Sequence, residues 1–154
     1  MLLNKKTVNK FVKVQDYFLY LLAKKDYSEK NLNQKAKLKN YPESEILESI
    51  KWLQSKNFLN EERLAANILE KYPTCGRQFW QQKMQMAGVN SEIIKKTLEK
   101  SKTDHKMLKS QIKTKFRLQN WDLEIEIKQK VLRFIASRGV TNSFGLLAKW
   151  KLED

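Results

Sequence analysis

Hydrophobic residues recur along the chain at intervals of three and four, which is the spacing of one face of an α-helix. Ile46, Ile50 and Leu53 show this spacing, and Ile94 and Leu98 show it again. Alternating runs of β-branched residues bounded by Asn-Gly or Asp-Gly turns, which would indicate hairpins, are almost absent. The pattern therefore predicts an all-α protein.

Turn-forming and capping residues divide this pattern into nine predicted helices. Residues suited to start a helix are Ser28, Pro42, Asn60, Asn90, Asp122 and Thr141. Gly88 and Gly139 suit the left-handed conformation that ends one. The predicted helices cover residues 8–25, 29–39, 43–56, 61–71, 75–87, 91–101, 105–118, 122–138 and 142–150.

The chain also matches itself at a shift of 48 residues and then at a shift of 51. The matched positions are Leu32, Trp80 and Val131; Ala36, Met84 and Ile135; Asn40, Gly88 and Gly139; and Tyr41, Val89 and Val140. Helical proteins give such matches by coincidence, but a turn residue followed by an apolar one in each unit favours a repeat. We predict three tandem three-helix repeats forming an elongated, curved molecule. The expected units are 1–58, which includes an N-terminal extension, then 59–102 and 103–154.

Charge points to the class of partner. The chain has 31 Lys and Arg against 17 Asp and Glu, a net charge of +14. Residues 1–39 carry ten basic and three acidic groups, and residues 102–139 carry ten and four. Basic regions of this kind attract polyanions, with nucleic acid as the first to consider. A solvated lysine-rich surface that keeps the protein soluble is the alternative.

Membrane and export signals are absent from the sequence pattern. The longest apolar run, residues 17–23, is far shorter than the roughly 20 residues that a membrane-spanning helix needs. No long apolar segment follows the lysines of residues 1–10, which argues against a secretory signal. The single cysteine, Cys75, excludes an intrachain disulfide. We expect a cytoplasmic monomer with no membrane partner.

Three segments resemble those of a known family: residues 22–28 with Leu32, Lys35 and 39–41; residues 58–65; and residues 128–135 with 138–140. Together they resemble the RecX family of regulatory proteins. They stand in the family's order and spacing, Phe116 behind Lys115 fits as well, and the resemblance extends over about residues 14–150. The chain departs from the family at Asn40, where a glycine is usual, at the turn of residues 72–76, and at Gly145, where a branched apolar residue is expected.

The resemblance implies a regulator of the RecA recombinase. RecX-like proteins lie along the groove of the RecA filament on DNA, impede its growth, and lower strand exchange and DNA-dependent ATP hydrolysis. Spaced repeats suit such a groove, because linked contacts raise the effective affinity. The alternative is a general helical nucleic-acid-binding protein that acts without RecA, for example through helix-turn-helix contacts.

No catalytic or metal-binding constellation is visible in the sequence. His105 is the only histidine, and with Cys75 thirty positions away it cannot build a closed zinc site. Cys75 acting as a nucleophile with His105 as its base is the catalytic alternative to a simple packing role. Neither phosphate-binding glycine motif occurs. We expect a protein that is not an enzyme, with no catalytic residues, no metal and no cofactor.

Basic side chains are the better candidates for binding RecA or single- and double-stranded DNA. The candidates are Arg63, Arg77, Lys113, Lys115, Arg117, Lys128, Lys130, Arg133 and Arg138. Lys130, Arg133 and Ser137 fall on one helix face. Arg63 has an equally good alternative role, which is to pair with the neighbourhood of Glu61 and Glu62 or with a carboxylate of the next unit. Among the tryptophans, Trp52 and Trp80 are expected in the core, and Trp121 is the best candidate for an exposed aromatic.

Overall fold

The structure is a computed structural model that describes residues 13–154. This part of the chain contains nine helices. They are α1 (Val14–Leu22), α2 (Glu29–Leu38), α3 (Glu43–Ser55), α4 (Glu61–Lys71), α5 (Arg77–Met86), α6 (Ser91–Lys100), α7 (His105–Phe116), α8 (Ile125–Ser137) and α9 (Ser143–Glu153). No strand occurs in this range, so the all-α prediction is confirmed. The first predicted helix began at residue 8, and residues 8–12 lie outside the described residues.

Polar side chains cap most helix starts, as predicted for three of them. Ser28, Asn60 and Asn90 each accept a hydrogen bond from a backbone N–H of the first turn that follows. Pro42, likewise expected at a helix start, is the N-cap of α3, without a side-chain bond. The prediction for Asp122 was wrong, because α8 begins at Ile125 with Glu124 as its N-cap residue.

The nine helices form three consecutive trios, α1–α3, α4–α6 and α7–α9, and the same left-handed turn follows the middle helix of each trio. Asn40, Gly88 and Gly139 have φ values of 59°, 77° and 67°. Asparagine is among the few residues other than glycine that adopt this conformation readily, so Asn40 keeps the turn despite its departure from the family. Positions matched in the sequence are also matched in burial, since Ala36, Met84 and Ile135 are all 0 % exposed.

The match shifts by one residue in α9. Thr141 is an extra residue in the turn before this helix, and Asn142, not Thr141 as predicted, is the N-cap. Leu146 and Trp150 are therefore buried at the positions that correspond to Ile94 and Leu98. This insertion explains why glycine stands at 145, where the unshifted repeat would require an apolar side chain.

Three buried clusters form the core, each built by three consecutive helices. The first runs from Val14 to Leu59, the second from Leu64 to Leu98, and the third from Leu108 to Trp150. All extended helix-to-helix packing lies within these trios. Each trio thus packs around its own core, whereas the three tandem repeats and the unit boundaries at 58/59 and 102/103 stay predictions.

The tryptophans belong mainly to these cores. Trp80 is buried as predicted, with its indole N–H donating to the carbonyl of Tyr72 at 2.8 Å. Trp52 is half-buried and stacks on Phe58. Trp121, the best candidate for an exposed aromatic, is instead buried: it is 4 % exposed, and its ring centroid lies 4.8 Å from that of Trp150.

Candidate partner-binding surface

Helix α8 has a buried inner side and a basic outer face. Val131 and Ile135 are 0 % exposed on the inner side, whereas Lys130 and Arg133 are exposed. Residues three apart lie on the same side of a helix, so the two cations face solvent together. Within residues 13–154 neither cation has an ion-pair partner. Their charge is therefore available to an acidic partner.

Lys128 lies on a different side of α8. It lines a cleft of about 280 Å³ together with Phe144 and Lys151. Lys151 donates to Asp122 at 2.6 Å, and this hydrogen bond and the lysine's charge hold the pKa of Asp122 below its ordinary value. The structure thus separates Lys128 from Lys130 and Arg133, although all three are close in sequence.

The candidates at the end of α7 have three different surroundings. The ammonium of Lys113 lies 3.1 Å from the carboxylate of Asp154, so it is already paired. Lys115 is exposed and lies 5.4 Å from the ring centroid of Phe134 on α8, which brings it beside the basic outer face. Arg117 is exposed and ends the helix in the left-handed conformation, with φ of 53°.

Arg138 belongs to the joint between the second and third trios. Its guanidinium donates to the hydroxyl of Thr74 at 3.0 Å and covers the ring of Phe134 at 4.4 Å. Its backbone carbonyl accepts from the N–H of Gly76 at 2.7 Å. A partner would have to displace these contacts, so Arg138 is better described as a residue that joins two trios.

Arg63 forms the matching joint between the first and second trios. Its guanidinium donates to the carboxylate of Asp26 at 2.8 and 3.1 Å, and to the backbone carbonyls of Asn57 and Phe58. The structure contains an ion pair of Arg63, but the predicted partners were wrong: the carboxylate belongs to Asp26 of the preceding trio, and not to the neighbourhood of Glu61 and Glu62 or to the next unit.

Arg77 stands apart from the other candidates, at the start of α5. Its guanidinium donates to the backbone carbonyl of Leu98 at 3.3 Å. It lines a cleft of about 320 Å³ beside His105 and Asn142. This position lies between the second and third trios, and Arg77 adds a cation there without joining the α8 face.

Comparison with known proteins places this arrangement in a family. The chain is 36 % identical to the regulatory protein RecX of Actinobacillus pleuropneumoniae over 129 residues, 82 % of this chain and 84 % of the relative. It is 33 % identical to the Haemophilus ducreyi protein of the same name over 129 residues, again 82 % and 84 % of the two chains. The chain belongs to the RecX family of regulatory proteins. No family-wide sequence profile matches it.

Solved RecX structures share the fold. The crystal structure of RecX from Lactobacillus salivarius superposes with a TM-score of 0.72 over 90 % of this chain and 95 % of that one, at 13 % identity. A second crystal structure of regulatory protein RecX gives a TM-score of 0.70 over 88 % and 71 % of the two chains, at 17 % identity. The all-helical fold of this RecX-family chain is thus one that has been observed experimentally.

His105 and Cys75, the two residues of the catalytic alternative, have different surroundings in this RecX-family chain. Residues 13–154 contain no group of three or more His, Cys, Asp or Glu side chains that could hold a metal ion. In the same range no helix is long and apolar enough to cross a membrane. His105 is exposed, whereas Cys75 is buried. The relatives are named as regulators, which agrees with a role other than catalysis.

Sequence reasoning missed the acidic residues that join the RecX trios. Asp26 also accepts from the amide of Asn67 at 2.8 Å, and the carboxylate of Glu61 accepts from the backbone N–H groups of Glu29 and Asn90 at 2.9 and 2.7 Å. The partners are 29 to 41 residues apart in the chain. The sequence shows that each of these residues is acidic, but no local pattern indicates which distant residue it contacts.

We expect Cys75 of the RecX-family protein to be nearly inert in the native state. Its side chain is 2 % exposed, and burial raises the pKa of the thiol, outweighing the nearby Arg138 that lowers it. Less thiolate forms at any given pH, so a disulfide reagent near pH 8 should react about 100-fold more slowly than in denaturant. If the thiol reacted in buffer as fast as it does in denaturant, this prediction would be wrong, and Cys75 would again be a candidate nucleophile.

Replacing Asp26 should loosen the first joint. D26A removes the carboxylate that accepts from Arg63 and Asn67, and leaves Arg63 only the backbone carbonyls of Asn57 and Phe58. We expect a loss of about 1–2 kcal/mol in the free energy of unfolding, reduced by partial exposure of the pair. Urea unfolding followed by tryptophan fluorescence measures it. E48A removes one exposed carboxylate on α3 and serves as the control. Equal stability of the two variants would show that the joint contributes nothing.

Proposed function

We propose that the protein binds the RecA filament on DNA and lowers its ATP hydrolysis and strand exchange, thereby modulating DNA repair and the SOS response. Membership of the RecX family is the observation that carries this proposal. We further propose that the protein acts in the cytoplasm as a monomer, without a cofactor.

The outer face of α8 is the proposed contact surface. Lys130 and Arg133 are exposed and have no ion-pair partner among the described residues, and Lys115 lies beside them. Positive charge of this kind can meet either phosphates or an acidic protein surface. The contacts of Asp26 and Arg138 between trios also support the proposal. They hold neighbouring trios in fixed positions relative to one another, which suits binding along an extended partner.

Titration into a RecA reaction tests the proposal. The measurement is ATP hydrolysis by the host's RecA on single-stranded DNA, followed as the protein is added. We expect strong inhibition at well below one copy per RecA, since capping or groove binding affects many subunits at once. Unchanged ATP hydrolysis and strand exchange at stoichiometric excess would refute the regulator role.

A general nucleic-acid-binding protein is the second candidate, and the net charge of +14 favours it. Such a protein binds bare DNA with an affinity that falls steeply with salt. A filament regulator instead prefers RecA-coated DNA to bare DNA of the same length. Tight, salt-sensitive binding to bare DNA without inhibition of RecA would support this second candidate.

A further inference from the structure

A cleft of about 530 Å³ lies between the first and second trios, away from the α8 face. Its lining includes Lys25, Tyr27, Lys71, Tyr72, Lys83 and Met86. Both trios contribute to it, since Lys25 and Tyr27 precede α2 whereas the other four residues lie on or beside α4 and α5. None of the six was among the candidates from the sequence.

Each wall of the cleft carries a tyrosine with two lysine ammonium groups over its ring. On one wall Lys25 lies 4.8 Å from the ring centroid of Tyr27, and Lys35, which stands on α2 outside the lining, lies 5.6 Å from it. On the other wall Lys71 and Lys83 lie 5.5 and 5.8 Å from that of Tyr72. Contacts of this kind hold flexible lysines near the cleft but are weak enough at exposed sites to be exchanged.

The cleft is positively charged when empty of partners. Within residues 13–154 these four lysines form no ion pairs. Asp26 is the only acid in the lining, and its two oxygens are engaged by Arg63 and Asn67 at 2.8 Å each. The carboxylate therefore opposes an incoming anion less than a free one would.

We propose that this cleft binds single-stranded nucleic acid. Phosphates draw the lysine ammonium groups away from the two rings, and the cleft-facing sides of the half-buried tyrosines then stack on unpaired bases. Lysines interleaved with aromatic side chains are the arrangement by which proteins hold single strands without reading their sequence. A duplex keeps its base faces stacked inside, so it can use the lysines of the cleft but not the tyrosines.

The proposal is tested on the full chain with bare DNA. The probe is a labelled oligothymidylate of about 15 nucleotides, and its fluorescence anisotropy is followed across a salt series. We expect K71Q/K83Q to bind about tenfold more weakly, and the slope of log affinity against log salt to fall by roughly 1.4, the value for two phosphate contacts on a single strand. K95Q/K96Q removes the same charge from exposed positions on α6 and should bind nearly as the unmodified protein does.

A second readout locates the bases. Photo-crosslinking with an iodouracil-substituted oligonucleotide, mapped by mass spectrometry, should mark Tyr27 or Tyr72. Equal weakening by the two double variants, or crosslinks confined to α8, would overturn the proposal. Equally effective competition by duplex DNA or by polyglutamate would overturn it too, in favour of a general anion surface. No recombinase is present, so the result does not depend on whether the protein inhibits RecA.

Discussion

G76A should break the joint between the second and third trios. A Cβ atom at Gly76 would lie 2.0 Å from the carbonyl oxygen of Gly139 and 2.8 Å from Cα of Val140. Both are backbone atoms, so no side-chain rotation can relieve the overlap. The N–H of Gly76 also donates to the carbonyl of Arg138 at 2.7 Å. Moving the two backbone segments apart to make room for the Cβ atom would lengthen that hydrogen bond. We expect a loss of about 3 kcal/mol in the free energy of unfolding, at the upper end for an overpacked site.

Urea unfolding and amide hydrogen exchange measure the effect of G76A. The N–H at residue 76 should lose its protection even where the helices of both trios keep theirs. G145A is the control, because a Cβ at Gly145 would meet only the side chain of Asn142. Moving that side chain gives up its N-cap hydrogen bond from the N–H of Gly145, a loss of about 1 kcal/mol. The helix preference of alanine over glycine offsets about as much, so the stability should change by less than about 1 kcal/mol. If the two variants were equally stable, the close approach at Gly76 would not matter.

The local parts of the fold could be predicted from the sequence because they depend on neighbouring residues. Ser28, Asn60 and Asn90 cap helices through bonds to N–H groups two or three residues away. Gly88 and Gly139 end helices because their own φ values are positive. The N-cap of α9 was predicted one residue too early, because Thr141 is inserted in the turn before this helix and shifts its register by one residue.

The joints could not be predicted, because their partners are distant in the chain and were indistinguishable from other charges. Asp26 and Arg63 are 37 residues apart, and Arg138 contacts Thr74 across 64 residues. The sequence placed Arg138 with Lys130 and Arg133 as one basic cluster. The structure shows that only the last two are exposed and unpaired within residues 13–154, because Phe134 and Thr74 hold Arg138 at the joint.

Reversing the charge of the α8 face should greatly weaken the inhibition of RecA. K130E/R133E places two carboxylates where two exposed cations stood, beside Glu126 on the same helix. Each reversal replaces an attraction to phosphate or acidic protein by a repulsion, at about 1 kcal/mol per site, so the concentration for half-inhibition of ATP hydrolysis should rise about thirtyfold. Val131 and Ile135 are untouched, and the helical circular dichroism should stay unchanged.

The control for K130E/R133E must separate a local contact from the net charge of the protein. K95E/K96E makes the same change of four charges on exposed positions of α6. If inhibition depended on the overall field, both variants would lose it alike, and adding salt would weaken the unmodified protein in the same way. A contact through α8 requires instead that K95E/K96E inhibits within about threefold of the unmodified protein, because charges more than a Debye length from the partner are screened at about 0.15 M salt.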